Sequence, residues 1–227
     1  MKFDLYLTEF SRDQYGDGIT FCDIDETMFK TFARVSVMKD GKVVRELDNQ
    51  EFNSYKLKDG EEWDFGQFRD AAFFRKTSIP IPQMFARVKK MIAQIKAMDT
   101  NSKIVFLTAR GIFKDMKEFK KSFSDNGITI DGNTVSVSFM PEGGNDIPTD
   151  KKRRMMEFIS TGKFRRVRLI DDHKPNLKAL KDIENTLPVK IEKKVIDLHN
   201  LDMSTEKLPP ISFYALWIDE SGSLKKI

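Results

Sequence analysis

Cysteine and histidine are scarce: the 227-residue chain holds one cysteine, Cys22, and two histidines. One cysteine cannot close an internal disulfide, so burial and hydrogen bonding must hold the fold. Cys22 stands beside Asp23 in an apolar segment with no histidine nearby in sequence. It therefore reads as a small core side chain and not as a nucleophile, which would need a base to form its thiolate. His173 reads as an exposed loop residue, and His199 has no partner visible in sequence. Long apolar runs are missing as well. No stretch approaches the roughly 20 apolar residues of a membrane span, and Met1 to Tyr6 lacks a signal-peptide core. A soluble, cytoplasmic protein without membrane contact is expected. Charge of one sign is also lacking: 39 Lys and Arg against 35 Asp and Glu leave +4. Composition alone thus gives no argument for a nucleic-acid partner.

What the chain does have is a composition of 40% hydrophobic and 33% charged residues, enough for one globular domain over residues 1–227 with room for an insertion. From Pro80 onward strand-like and helix-like segments alternate as in βαβ units. Ile81, Met84, Phe85, Val88, Met91, Ile92, Ile95 and Met98 recur at the spacing of a helix packed on a sheet. Ile104 to Leu107 is a continuous apolar run, typical of a strand buried on both faces. Phe113, Met116, Phe119 and Phe123 mark the next helix, closed by Asn126-Gly127. Val135, Val137 and Phe139 suggest a further strand. A Gly-rich loop from Pro141 to Pro148 leads to Thr149 or Asp150 as a helix cap. Val167 to Ile170 runs into Asp171-Asp172, and a helix is expected from Pro175. In the tail, Val195 to Leu198 and a hairpin of Ile211 to Ile218 with Leu224 to Ile227 should extend the sheet edge.

Two carboxylates, Asp23 and Asp25, follow the apolar segment Ile19 to Ile24. At the carboxyl end of a strand in an open α/β sheet they would face the ligand crevice, and each would raise the other's pKa unless a cation joined them. A metal and an anionic substrate are the first expectation. Asp23-Ile24-Asp25-Glu26-Thr27, then Thr108 ending a second apolar strand, a lysine at 151 or 152, and Asp171-Asp172 ending a third together resemble the haloacid dehalogenase-like hydrolases over most of the chain.

That resemblance implies a Rossmann-like three-layer α/β core with a mainly parallel sheet, and a small cap inserted after the first strand. It also implies a Mg²⁺-dependent phosphatase working through an aspartyl-phosphate. Asp23 would be the nucleophile and Asp25 the acid and base, a residue that dehalogenases and P-type ATPases of the superfamily lack. Asp23, the Asp25 carbonyl and one of Asp171 and Asp172 would hold the metal, with Asp172 preferred as direct ligand. Thr108 and Lys152 would bind phosphate, with Thr27, Ala109 and Arg110 as further substrate contacts. Lys152 is preferred over Lys151 because Met155 and Met156 follow it at the family's spacing. Glu26 occupies a place where the family often has glycine.

Residues 31–79 break the βαβ pattern. Val35 to Val37 and Val43-Val44 flank the turn Lys39-Asp40-Gly41, and Trp63, Phe65, Phe68, Phe73 and Phe74 follow. Such an insertion over a strand-end crevice is where substrate choice resides. The expected substrate is a small phosphomonoester, with nucleotides among the candidates. The basic runs Lys151 to Arg154 and Lys163 to Arg168 also allow a polynucleotide end-processing phosphatase, but a solvated helix face is the preferred reading. A non-catalytic phosphate-binding or interaction module is the third alternative.

Overall fold

The structure, a computed structural model, describes residues 17–140, 146–187, 192–197, 202–207 and 211–227. Its strands are β1 Asp17–Cys22, β2 Phe29–Lys30, β3 Val35–Lys39, β4 Lys42–Leu47, β5 Glu61–Asp64, β6 Ile79–Pro80, β7 Lys103–Thr108, β8 Val135–Phe139, β9 Phe164–Asp171, β10 Glu192–Asp197, β11 Asp202–Lys207, β12 Ser212–Ile218 and β13 Leu224–Lys226. Its helices are α1 Asn49–Ser54, α2 Ala71–Thr77, α3 Pro82–Ala97, α4 Met116–Ser124, α5 Ile147–Ile159 and α6 Lys174–Thr186.

Six strands form one sheet in the order β13-β12-β9-β1-β7-β8. All neighbours run parallel except the edge strand β13. The central strands are buried on both faces, as their continuous apolar runs require. Cys22, Phe106 and Ile170 face a layer built from α3 and α4, with Met84, Val88, Phe119 and Phe123 in its core. Phe21, Leu107 and Leu169 face α5 and α6, through Met155, Ile159, Leu177 and Ile183. The result is a three-layer α/β fold compatible with a Rossmann-like architecture. From β1 the chain builds outward to β7 and β8, then returns to place β9 on the other side of β1. That reversal puts the ligand crevice of an open α/β sheet at the carboxyl ends of β1 and β9.

Residues 31–79 leave this sheet. β3, β4 and β5 form a separate antiparallel sheet. The β3–β4 turn has positive φ at both Asp40 and Gly41, the conformation that matches the twist of a two-residue hairpin. Beside it, Phe52, Tyr55, Trp63, Phe65 and Phe68 pack together with centroids 4.9 to 6.4 Å apart, mostly edge to face, with Trp63 and Phe65 tilted. These rings form a local apolar cluster in place of an open stacking platform.

Three boundaries differ from expectation. The helix expected at Phe113 begins at Met116 because Asp115 caps it, accepting from the Lys117 and Glu118 N–H groups. Phe113 stays in the preceding loop, stacked on Phe119 at 4.5 Å. Helix α5 starts earlier than Thr149, at Ile147, with Asp146 as its cap and Pro148 in the first turn, where a missing N–H costs nothing. The basic stretch before Val167 lies inside β9, which begins at Phe164. The C-terminal hairpin pairs as expected, with β12 beside β9 and β13 at the edge. Val195 lies in β10, which pairs with β11 as a two-stranded ribbon, whereas Leu198 and His199 lie outside the described residues.

Candidate active site

Asp23 is the first residue after β1, and its N–H donates to the Ile170 carbonyl at 2.9 Å. That bond extends the β1–β9 pairing by one step and sets the Asp23 carboxylate beside the end of β9. Asp171 ends β9 and Asp172 follows. Ligand oxygens of Asp23, Asp171 and Asp172 all lie within 4.8 Å of one another. Between two of them stands Lys151, whose Nζ donates at 2.7 Å to Asp23 Oδ1 and at 2.7 Å to Asp171 Oδ2. Its side chain is 1% exposed.

Of the two candidate lysines it is Lys151, not the preferred Lys152, that reaches these carboxylates. The reason lies in the helix period: Lys151, Met155 and Ile159 share the buried face of α5, four residues apart. Lys152 is half-buried, on the line of Met156. The stripe of two deeply buried residues, traced back one turn, would have indicated Lys151.

Asp171 is saturated with donors. Besides Lys151, Asn176 Nδ2 reaches both its oxygens at 3.0 and 3.1 Å, and the His173 N–H donates to Oδ1 at 2.9 Å. Asp172 is half-buried, and its backbone carbonyl accepts from Trp217 Nε1 at 2.8 Å. Burial and then the Asp171 charge push its carboxyl up to about 7, against the opposing pull of Lys151. Asp23 is likewise held well above the usual carboxylate range. Burial is the main cause and Lys151 opposes it, while Asp171, Asp172 and Asp25 add repulsion.

Asp25 behaves in the opposite sense. Burial alone would raise it, but the Arg110 guanidinium, hydrogen bonds from Arg110 and Thr31, and the Lys151 charge hold it low. Arg110 Nε lies 3.0 Å from both Asp25 oxygens and its terminal nitrogen is 2.6 Å from Oδ1. The guanidinium is itself buried, sits over the rings of Phe68, Phe74 and Phe113, and donates to the Phe68 carbonyl at 3.1 Å. Arg110 is thus turned onto Asp25, with Phe68 and Phe74 of the 31–79 segment packed against its guanidinium.

Thr108 is fully buried at the end of β7. Its hydroxyl accepts the Arg110 N–H at 3.1 Å and lies 3.5 Å from Asp25 Oδ2. It caps no helix, since α4 begins only at Met116. Ala109 beside it is exposed, and Thr27 is buried with its Oγ1 unpartnered.

Glu26 has φ of +53°, a left-handed conformation that glycine adopts without strain. The glutamate is held there by its own carboxylate, which accepts the Thr31 N–H at 2.9 Å. Thr31 Oγ1 also donates to Asp25 Oδ1 at 2.8 Å. Thr31, Asn176 and Trp217 were not among the expected site residues. Asn176 alone left a signal, five residues after Asp171 on a helix start.

Known proteins offer no identity. No family model, no curated protein and no solved structure matches the chain.

The chemistry of the site follows from its charges. Three clustered carboxyl groups face one ammonium, two of them held above the usual range by burial and mutual repulsion, and every free ligand atom is a hard oxygen. Such a donor set fits a hard divalent cation. Cys22, by contrast, is buried behind the site with its thiol pushed up to about 12, chiefly by burial. It is inert there.

The basic runs scatter. Lys151 is in the site, Arg153 and Arg154 pair with Glu157 at 2.9 and 3.1 Å, Arg165 bonds the Gly162 carbonyl, and Arg168 bonds Thr20. They do not all line one surface. Among the described residues, no helix is long and apolar enough to cross a membrane.

Proposed function

We propose that the protein is a phosphatase of the haloacid dehalogenase-like type, dependent on a divalent cation of the Mg²⁺ class, acting on a small phosphomonoester. The observation that carries this reading is the convergence of Asp23, Asp25, Thr108, Lys151, Asp171 and Asp172 from separate strand ends and one helix onto a single crevice. Sequence distance makes that meeting meaningful: Lys151 lies 128 residues from Asp23. Residues 31–79 serve as the cap over the crevice.

The bound cation would be held by Asp23, Asp172 and the Asp25 carbonyl, with Asp171 orienting the cluster through its bonds to Lys151 and Asn176. It would neutralise the carboxylates and the phosphoryl oxygens so that two anions can approach. An Asp23 oxygen attacks phosphorus, forming an acyl phosphate as the bond to the substrate's ester oxygen breaks. Asp25 relays to that leaving oxygen the proton that the phosphomonoester monoanion brings in. It then takes a proton from the water that attacks phosphorus and passes it to the departing phosphate, which restores both aspartates as carboxylates. Lys151 and the Thr108 hydroxyl hold the equatorial oxygens during transfer. Arg110 keeps Asp25 aimed and makes its ionised form, the one needed in the water step, the resting state.

A phosphate-release screen over sugar phosphates, mononucleotides and 3′- or 5′-phosphorylated oligonucleotides, with Mg²⁺ or EDTA, tests the proposal. Release should require the cation and disappear in Asp23→Asn and Asp25→Asn. Activity that persists in either variant, or ignores EDTA, rejects the mechanism. The scattering of the basic residues favours the small substrates over oligonucleotide ends.

A further inference from the structure

On the face opposite α5 and α6, a cavity of about 230 Å³ opens between α3 and the amino-terminal halves of β1, β9 and β12. Thr20 on its floor is three residues before Asp23, roughly 10 Å along the strand, so it is separate from the carboxylate crevice. Alternation along β9 sends Arg166, Arg168 and Ile170 to this face, opposite Val167 and Leu169. In most of the core such a position would hold an aliphatic side chain. Here it holds a guanidinium.

Arg168 is half-buried, and its side chain has few protein partners. Its terminal nitrogen donates to Thr20 Oγ1 at 3.3 Å and contacts Met91 Sδ at 3.5 Å, and its guanidinium lies 5.8 Å from the Tyr214 ring centroid. Among the described residues, no carboxylate pairs with it. A guanidinium offers five N–H donors in a planar fork suited to a carboxylate or phosphate. Partly withdrawn from water against a hydroxyl and a thioether, it is better satisfied when an anion joins it. Arg166, two residues away on the same face, also lines the cavity.

Two further observations point to an organic ligand in place of a bare ion. Gln94 lines the cavity with its Oε1 buried and without a partner, so a donor is wanted there. Met91 and the Tyr214 ring supply apolar wall. The volume is below the 300–1,000 Å³ typical of drug-sized pockets, which limits the ligand to about one ring.

We propose that this cavity is a second binding site, for a small organic anion whose carboxylate or phosphate-like head pairs with Arg168, whose apolar body lies on Met91 and Tyr214, and whose hydroxyl or amine meets Gln94. It is independent of the phosphatase reading and stands or falls separately.

The probes are 3-hydroxybenzoate, benzoate, phenylphosphonate and the neutral 3-hydroxybenzyl alcohol, titrated by calorimetry and NMR into the full chain in EDTA. At least one anionic probe should bind at least tenfold more tightly than the alcohol, and preference between benzoate and phosphonate tells which head the site takes. Arg168→Leu should lose at least tenfold of that affinity while melting no lower than wild type, because it removes a partly desolvated charge that no described carboxylate pairs with. Gln94→Leu should weaken 3-hydroxybenzoate more than benzoate, and Asp23→Asn should leave carboxylate binding unchanged. Should Arg168→Leu not fold, nuclear Overhauser contacts from the probe to the Met91 methyl and the Tyr214 ring decide the matter in the wild type. No binding of any anionic probe up to about 5 mM, weaker than any useful millimolar site, overturns the proposal. Equal binding to Arg168→Leu, or absence of those Overhauser contacts, does so too.

Discussion

Lys151→Met deletes the single ammonium shared by Asp23 and Asp171, each at 2.7 Å. Breaking a buried ion pair by removing one partner costs about 3–5 kcal/mol, because the remaining charge is left uncompensated. Two carboxylates are stranded here, so the loss at alkaline pH should fall at the upper end of that range. It should also depend on pH with a definite sign. The Asp23 carboxyl is already held above its ordinary value, by burial first, with Lys151 the main opposing influence. Without Lys151 it rises further. A carboxyl whose folded pKa exceeds its unfolded value, near 3.9, stabilises the fold fully below that value and loses the contribution as pH climbs through the folded pKa. The variant should therefore approach wild-type stability near pH 5 and fall away toward pH 8. Each extra proton held by the folded state adds a slope of about 1.4 kcal/mol per pH unit. Saturating Mg²⁺ should restore part of the loss at pH 8, about 2.7 kcal/mol at a hundredfold excess over its dissociation constant. Urea denaturation at pH 5, 6, 7 and 8, with Mg²⁺ or EDTA, measures all three effects. A deficit that is the same at every pH, or a loss under about 1 kcal/mol at pH 8, the value of an exposed pair, would refute the assignment of Lys151 as the site's internal counter-cation. Lys152→Met, one residue on, should lose less than about 0.5 kcal/mol, as for an ordinary surface change.

Three other perturbations read different parts of the site. Because the Asp172 carboxyl is pushed up to about 7, chiefly by burial, Mg²⁺ affinity should increase as pH rises through about 7, and calorimetry should detect proton release on binding below it; pH-independent affinity from 6 to 8 would contradict this. Arg110→Met removes the guanidinium that keeps Asp25 low, so the acid limb of the activity profile should move to higher pH, and an unchanged limb would show that Arg110 does not set the Asp25 ionisation. Glu26→Gly relieves a left-handed backbone but removes the carboxylate that accepts from Thr31; since glycine also frees the unfolded chain, stability should change by less than about 1 kcal/mol, while the Thr31 amide should gain hydrogen exchange at least tenfold.

The strands that bear the site were legible because burial on both faces leaves a plain trace: Ile104 to Leu107 and Val167 to Ile170 are apolar at every second position or better. Asp23, Thr108, Asp171 and Asp172 end up at strand ends for that reason alone. Helix-borne groups were harder to read. Asp146 and Pro148 shift the start of α5 away from Thr149, and each single-residue step on a helix turns a side chain by about 100°. One residue therefore separates the buried Lys151 from the half-buried Lys152.

The sequence by itself determined the α/β class, the strand-end carboxylates and the insertion at 31–79, since these rest on local periodicity and on residue type. Only the tertiary structure decided which lysine joins Asp23 and Asp171, that Arg110 is buried against Asp25 under Phe68, and that Arg168 lines a cavity. Those facts depend on contacts between residues 20 to 148 positions apart, and such distances in sequence carry no periodic signal until the sheet brings their ends together.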